Sequence, residues 1–117
     1  MNELVEKLTE KQSVEASPHE KTAKSLKEEI DRNYVHILFT KTGTEVGIEL
    51  DKPKCKYDGC DFEKGEGTAH FEGGLILNYD MVRCTADINL KDLKGKGRLE
   101  PVDEKEYNRI MGREGEG

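Results

Sequence analysis

The sequence predicts an α+β fold: a mainly antiparallel β-sheet, arranged as a meander or partly open barrel, with an N-terminal helix and a short C-terminal helix. Three observations carry this expectation. Apolar side chains recur with a period of two between Tyr34 and Leu99. Turn residues punctuate that stretch at short intervals. Helix-capping sequences stand on either side of it.

Residues 1–17 read as a flexible or weakly helical segment. Leu4, Val5 and Leu8 form a short stripe at helical spacing on an otherwise charged run, and a helix this short is poorly populated alone. Residues 13–17 read as a linker. The domain proper is expected over 18–112, with 113–117 a disordered tail. Ser17, Pro18 and Glu20 suggest a capping box with proline at the first helical position, opening a helix from Pro18 to Asp31. Ala23, Leu26 and Ile30 give it one narrow apolar stripe.

From Tyr34 the period changes. Val35, Ile37 and Phe39, then Val46, Ile48 and Leu50 after a turn near Thr42-Gly43, predict a hairpin with one buried face. Asp58-Gly59 is a preferred two-residue turn. It predicts a second hairpin in which Tyr57 faces Cys60, Lys56 faces Asp61, Cys55 faces Phe62 and Lys54 faces Glu63. One side would be apolar and the other would hold two ion pairs. Gly73-Gly74 suggests a further hairpin, pairing His70 with Leu77. A turn is expected at Asn78–Asp80. Met81 to Lys91 alternates most cleanly, with Val82, Cys84, Ala86, Ile88 and Leu90 on the dry side. Residues 94–97 read as a basic loop and Arg98–Val102 as a short strand. Asp103 with Glu106 caps the last helix, and Gly112 ends it in the left-handed conformation.

Composition narrows the function. Hydrophobic residues make up 33% of the chain and charged residues 38%, against an average near 25% charged. The Lys- and Glu-rich balance is the one found in proteins from hot environments. A net charge of −6 argues against general binding to a phosphate backbone. No run of about 20 apolar residues is present to span a bilayer, and the N-terminus lacks the apolar stretch of a signal peptide. A cytoplasmic protein that does not bind membranes is the expectation. Three cysteines, an odd number, speak against a complete disulfide framework.

Each candidate site has a plainer reading beside it. Cys55, Cys60, His70 and Cys84 form the only soft-ligand set available for a structural zinc ion, but the C-x₄-C spacing is loose and buried cysteine behaves as a small hydrophobe. Asp58, Asp61, Glu63 and Glu66 lack the spacing of the twelve-residue calcium loop. His36 and His70 have no nucleophile or orienting carboxylate that the sequence reveals. Lys91, Lys94, Lys96 and Arg98 form the one local basic patch, suited to a nucleic acid or anion, but without interleaved aromatics for stacking on bases. No phosphate-binding or dinucleotide-binding glycine motif is present.

The expected function is therefore a non-enzymatic protein-interaction or accessory module without a cofactor. Its partner would be another protein or a second copy of itself in a homodimer, docked on Leu4, Val5, Leu8, Leu26 and Ile30, whose stripes are too narrow to stand alone. A metal-binding domain, through the zinc set or the acidic hairpin, is the alternative. A weak nucleic-acid binder using the 91–98 loop is the second.

Overall fold

The computed structural model describes residues 2–112; the predicted tail 113–117 lies outside them. Six antiparallel strands follow one another around a barrel: β1 (Gln12–Ala16), β2 (Tyr34–Phe39), β3 (Thr44–Leu50), β4 (Thr68–Leu77), β5 (Asp80–Asn89) and β6 (Lys94–Pro101). β6 pairs back onto β1 and closes the sheet. Helices α1 (Glu3–Lys7), α2 (Ala23–Asp31) and α3 (Glu104–Ile110) flank it. The predicted class, an antiparallel barrel-like sheet with helices at both ends, stands.

Period-two patterning makes the barrel. Val35, Ile37 and Phe39 of β2 lie opposite Ile48, Val46 and Thr44 of β3. Val82, Cys84, Ala86 and Ile88 all face inward from β5. Phe39, Phe71, Ile37, Ile48, Ile88 and Leu99 are fully buried and fill the interior, as side chains do in small barrels. Gly95 and Gly97 of β6 also face inward. A side chain at Gly95 would overlap the Asp87 carbonyl, so this stretch is a strand pressed against β5. The predicted basic loop at 94–97 is thus the first half of β6.

The N-terminal segment is part of the barrel. β1 pairs with both β2 and β6, so the expected linker is a closing strand. Val5, Leu8 and Leu26 are 0% exposed, and Leu4 and Ile30 pack against the same core. The stripes assigned to a partner therefore dock on the chain's own barrel. A sequence pattern shows that a stripe needs cover but not which surface provides it.

Helix α2 begins later than the capping box suggests. Thr22 is its N-cap, accepting from the Ser25 amide at 3.0 Å. Ser17 is held by the sheet instead, its amide donating to the His36 carbonyl of β2 at 2.9 Å and its hydroxyl to Glu45 Oε1 at 2.7 Å. Helix α3 starts as expected, with Asp103 accepting from the Glu106 amide at 2.8 Å, and Gly112 adopts φ +73°.

Two predicted hairpins change. The turn at Asp58-Gly59 exists, with the Cys60 amide donating to Tyr57 O at 3.0 Å, but no ladder extends from it. Lys56 pairs with His70 and Asp61 with Glu66, and the Lys56–Asp61 and Lys54–Glu63 pairs do not form. The apolar set Cys55, Tyr57, Cys60 and Phe62 nonetheless packs on the core. At Gly73-Gly74 there is no turn. β4 runs straight through, and His70 lies opposite Asp87 of β5.

Candidate partner-docking site

The barrel wall has one thin seam. β3 and β4 share only two residue pairs, Glu49 with Gly74 and Leu50 with Gly73, whereas β4 and β5 pair along their whole length. Glycine is required at the crossing, because a side chain at Gly73 would overlap the Glu49 carbonyl oxygen. Past it the strands diverge. Thr44–Ile48 of β3 and Leu75–Leu77 of β4 have no ladder joining them. An unpaired strand edge presents free backbone donors and acceptors.

A groove of about 370 Å³ fills the divergence. Tyr34, Glu45, Gly47 and Glu49 line one wall, and Leu75, Ile76 and Leu77 the other. Tyr107 and Met111, from α3 and the turn after it, complete the lining. The Tyr34 ring covers Gly47, where a side chain would collide with it. Tyr34 is 44% exposed and Ile76 54% exposed.

Tyr79 stands two residues beyond Leu77, at the β4–β5 turn, and is 98% exposed. Asn78 (φ 47°) and Tyr79 (φ 73°) both occupy the left-handed region. Asn-Gly is the favoured pair in such a turn; tyrosine there is strained. Asn2 holds the turn from the N-terminal side. Its backbone and side-chain nitrogens both donate to Asp80 Oδ2 at 2.8 Å, and Nδ2 also donates to Leu77 O at 3.1 Å. Tyr34, Ile76 and Tyr79 are the large apolar side chains left exposed among the described residues. Two line the groove, and the third lies two residues along the chain from Leu77 of its wall. Most surface-exposed apolar residues need no explanation when scattered; grouped ones mark interaction sites.

Helix α3 is pinned beside the groove by ionic contacts on the outer wall. Arg83 of β5 donates to Glu100 at 3.1 Å and to Glu106. Arg109 donates to Glu106 and, at 2.9 Å, to the buried Asp51. The Arg109 hydrogen bond, with Arg83 nearby, holds the Glu106 carboxyl below its usual range.

The other predicted site residues are scattered. Cys84 is inside the barrel, and burial pushes its thiol up to about 12. His70 is on the outer face of β4, with both ring nitrogens held by carboxylates. Cys55 and Cys60 lie half-buried in the 51–67 excursion, their thiols also raised by burial. The four do not converge, and no three His, Cys, Asp or Glu among the described residues are arranged to hold a metal ion. His36 is engaged by the buried Glu29 of α2 at 2.8 Å. In the acidic set, Asp61 Oδ1 is occupied by the Glu63 and Lys64 amides and Glu63 lies 3.8 Å from Lys24. Of the basic set, Lys96 lies opposite Asp87 and donates to Ser13, while Arg98 sits beside Glu100.

Sequence reasoning did not single out Tyr34, Ile76 or Tyr79. Two signals were available: tyrosine where a turn favours glycine, and isoleucine on the wet side of its strand. The seam carried none, because a pairing that is missing leaves no pattern. Chemically the groove offers apolar surface, two carboxylates and open backbone edges, which suit binding. No curated protein matches the chain. The family model described as Core binding factor beta subunit matches residues 2–113, and the chain belongs to that family.

Proposed function

We propose that this chain is a non-enzymatic accessory subunit that docks an extended segment of a partner protein in the β3–β4 seam. The observation that carries the reading is the parted wall itself: two unpaired strand edges facing a groove, with exposed apolar side chains gathered along it. Adding a strand to such an edge gives affinity through backbone hydrogen bonds and specificity through alternate side-chain pockets. Glu45 and Glu49 on the rim, within a chain of net charge −6, favour a partner segment carrying basic residues. A beta subunit by description presupposes a different subunit beside it, which favours a heterologous partner over self-association.

Ile76→Glu tests this. The side chain is half-exposed, so folding should be little affected. A carboxylate placed among Glu45, Glu49 and the groove's apolar lining should cost about 2 kcal/mol or more of binding, roughly thirtyfold. Affinity capture with wild-type and variant chains, at matched melting temperature, provides the comparison. A partner retained equally by both chains contradicts the reading.

A further inference from the structure

His70 sits between two carboxylates on the outer wall. Its Nδ1 is 2.7 Å from Asp87 Oδ1, and its Nε2 is 2.8 Å from Glu72 Oε2. A neutral imidazole has one N–H and one lone pair. Only the imidazolium can donate to both partners, so one contact turns repulsive when the proton leaves. Close by, Arg83 Nε is buried without a hydrogen-bond partner, 3.9 Å from the other oxygen of Glu72.

We propose that His70 is a proton-sensing residue: on deprotonation it releases Glu72, which passes to Arg83. The proton leaves Nε2 for bulk water, while Nδ1–H stays with Asp87. Glu72 is the carboxylate that moves because an unsatisfied donor, Arg83 Nε, waits 3.9 Å from its other oxygen. Arg83 also holds Glu106 and Glu100, so a new partner redistributes its grip on α3, which lines the groove. That last link rests on the docking reading above; the hand-over does not.

The charged surroundings agree. Glu72 and Asp87 face His70 from β4 and β5, and Lys96 of β6 lies opposite Asp87. Lys56, whose backbone pairs with His70, shares its face. Cys55 Sγ donates to the Glu72 carbonyl at 3.4 Å. Glu106 and Arg109 act through Arg83. Burial pulls the imidazolium down, but the hydrogen bonds and charges of Glu72 and Asp87 outweigh it, holding His70 above its ordinary 6.5. Its stabilising contribution is therefore complete below 6.5 and lost as pH rises through the raised folded value.

Nitrogen-15 NMR of the full chain across neutral pH tests the hand-over without any partner. The expected result is a His70 midpoint above 6.5, a neutral form protonated on Nδ1, and an Arg83 Nε–H signal that shifts with the same midpoint. In a companion carbon-13 spectrum the Met111 methyl signal in the groove should follow the same curve. In His70→Gln the Arg83 signal should become independent of pH. An Arg83 signal that stays still while His70 titrates, or a His70 midpoint at or below 6.5, overturns the proposal. Because no partner enters the measurement, a failure of the docking reading leaves these outcomes unchanged.

Discussion

A chain lacking residues 1–16 is expected to lose its cooperative unfolding transition. These residues contribute Val5, Leu8 and Val14 to the core, each at most 1% exposed. Burial of such a side chain is worth about 1.5–3 kcal/mol. Their loss alone approaches the total stability of a typical domain, about 5–15 kcal/mol. The cut also removes β1, which pairs on both sides, and exposes facing edges of β2 and β6 along a buried apolar interior. Asn2 no longer holds the β4–β5 turn. Thermal unfolding followed by circular dichroism provides the measurement. A sharp transition near the full-length midpoint would show that the segment is peripheral after all.

Tyr79→Gly is expected to move stability and binding in opposite directions. Tyrosine at φ 73° carries strain of about 1–3 kcal/mol for a left-handed residue. Glycine relieves it at an entropic cost of about 0.5–1 kcal/mol. At 98% exposure the ring has almost no packing to lose, so the variant should melt slightly higher. If the ring meets the partner, its removal should weaken binding by about 2 kcal/mol or more, roughly thirtyfold. Calorimetric melting and partner titration on the same preparations separate the two effects. An unchanged affinity removes Tyr79 from the docking surface. A lower melting temperature contradicts the strain assignment.

The barrel was legible where local chemistry and tertiary packing agree. β5 alternates cleanly because both of its neighbours are hydrogen-bonded and one face is buried throughout, and the Asp103 cap needs only its own amides. The β2–β3 hairpin was legible for the same reason as β5. Reading failed where a local signal served a different purpose. Gly73-Gly74 resembles a turn, but its first glycine lets β4 cross close to Glu49 and the second leaves room for Ile110 of α3. Gly95 and Gly97 resemble a flexible loop, yet they admit close strand packing. Ser17 resembles a helix cap, yet its amide belongs to the sheet. For the candidate site, the sequence supported an interaction module without a catalytic constellation, but it placed docking on Leu4, Val5, Leu8, Leu26 and Ile30. Those residues complete the core, and the apolar side chains left exposed include Tyr34 and Ile76, which line a seam that only three-dimensional pairing reveals.

Amide hydrogen exchange of the chain, free and bound to its captured partner, tests the central claim most directly. Strand addition in the seam predicts that the seam-facing amides within Thr44–Ile48 and Leu75–Leu77 slow on binding, while those of β6 across the barrel keep their free rates. Protection confined to β6, or a bound partner that leaves the seam exchanging as before, would contradict it.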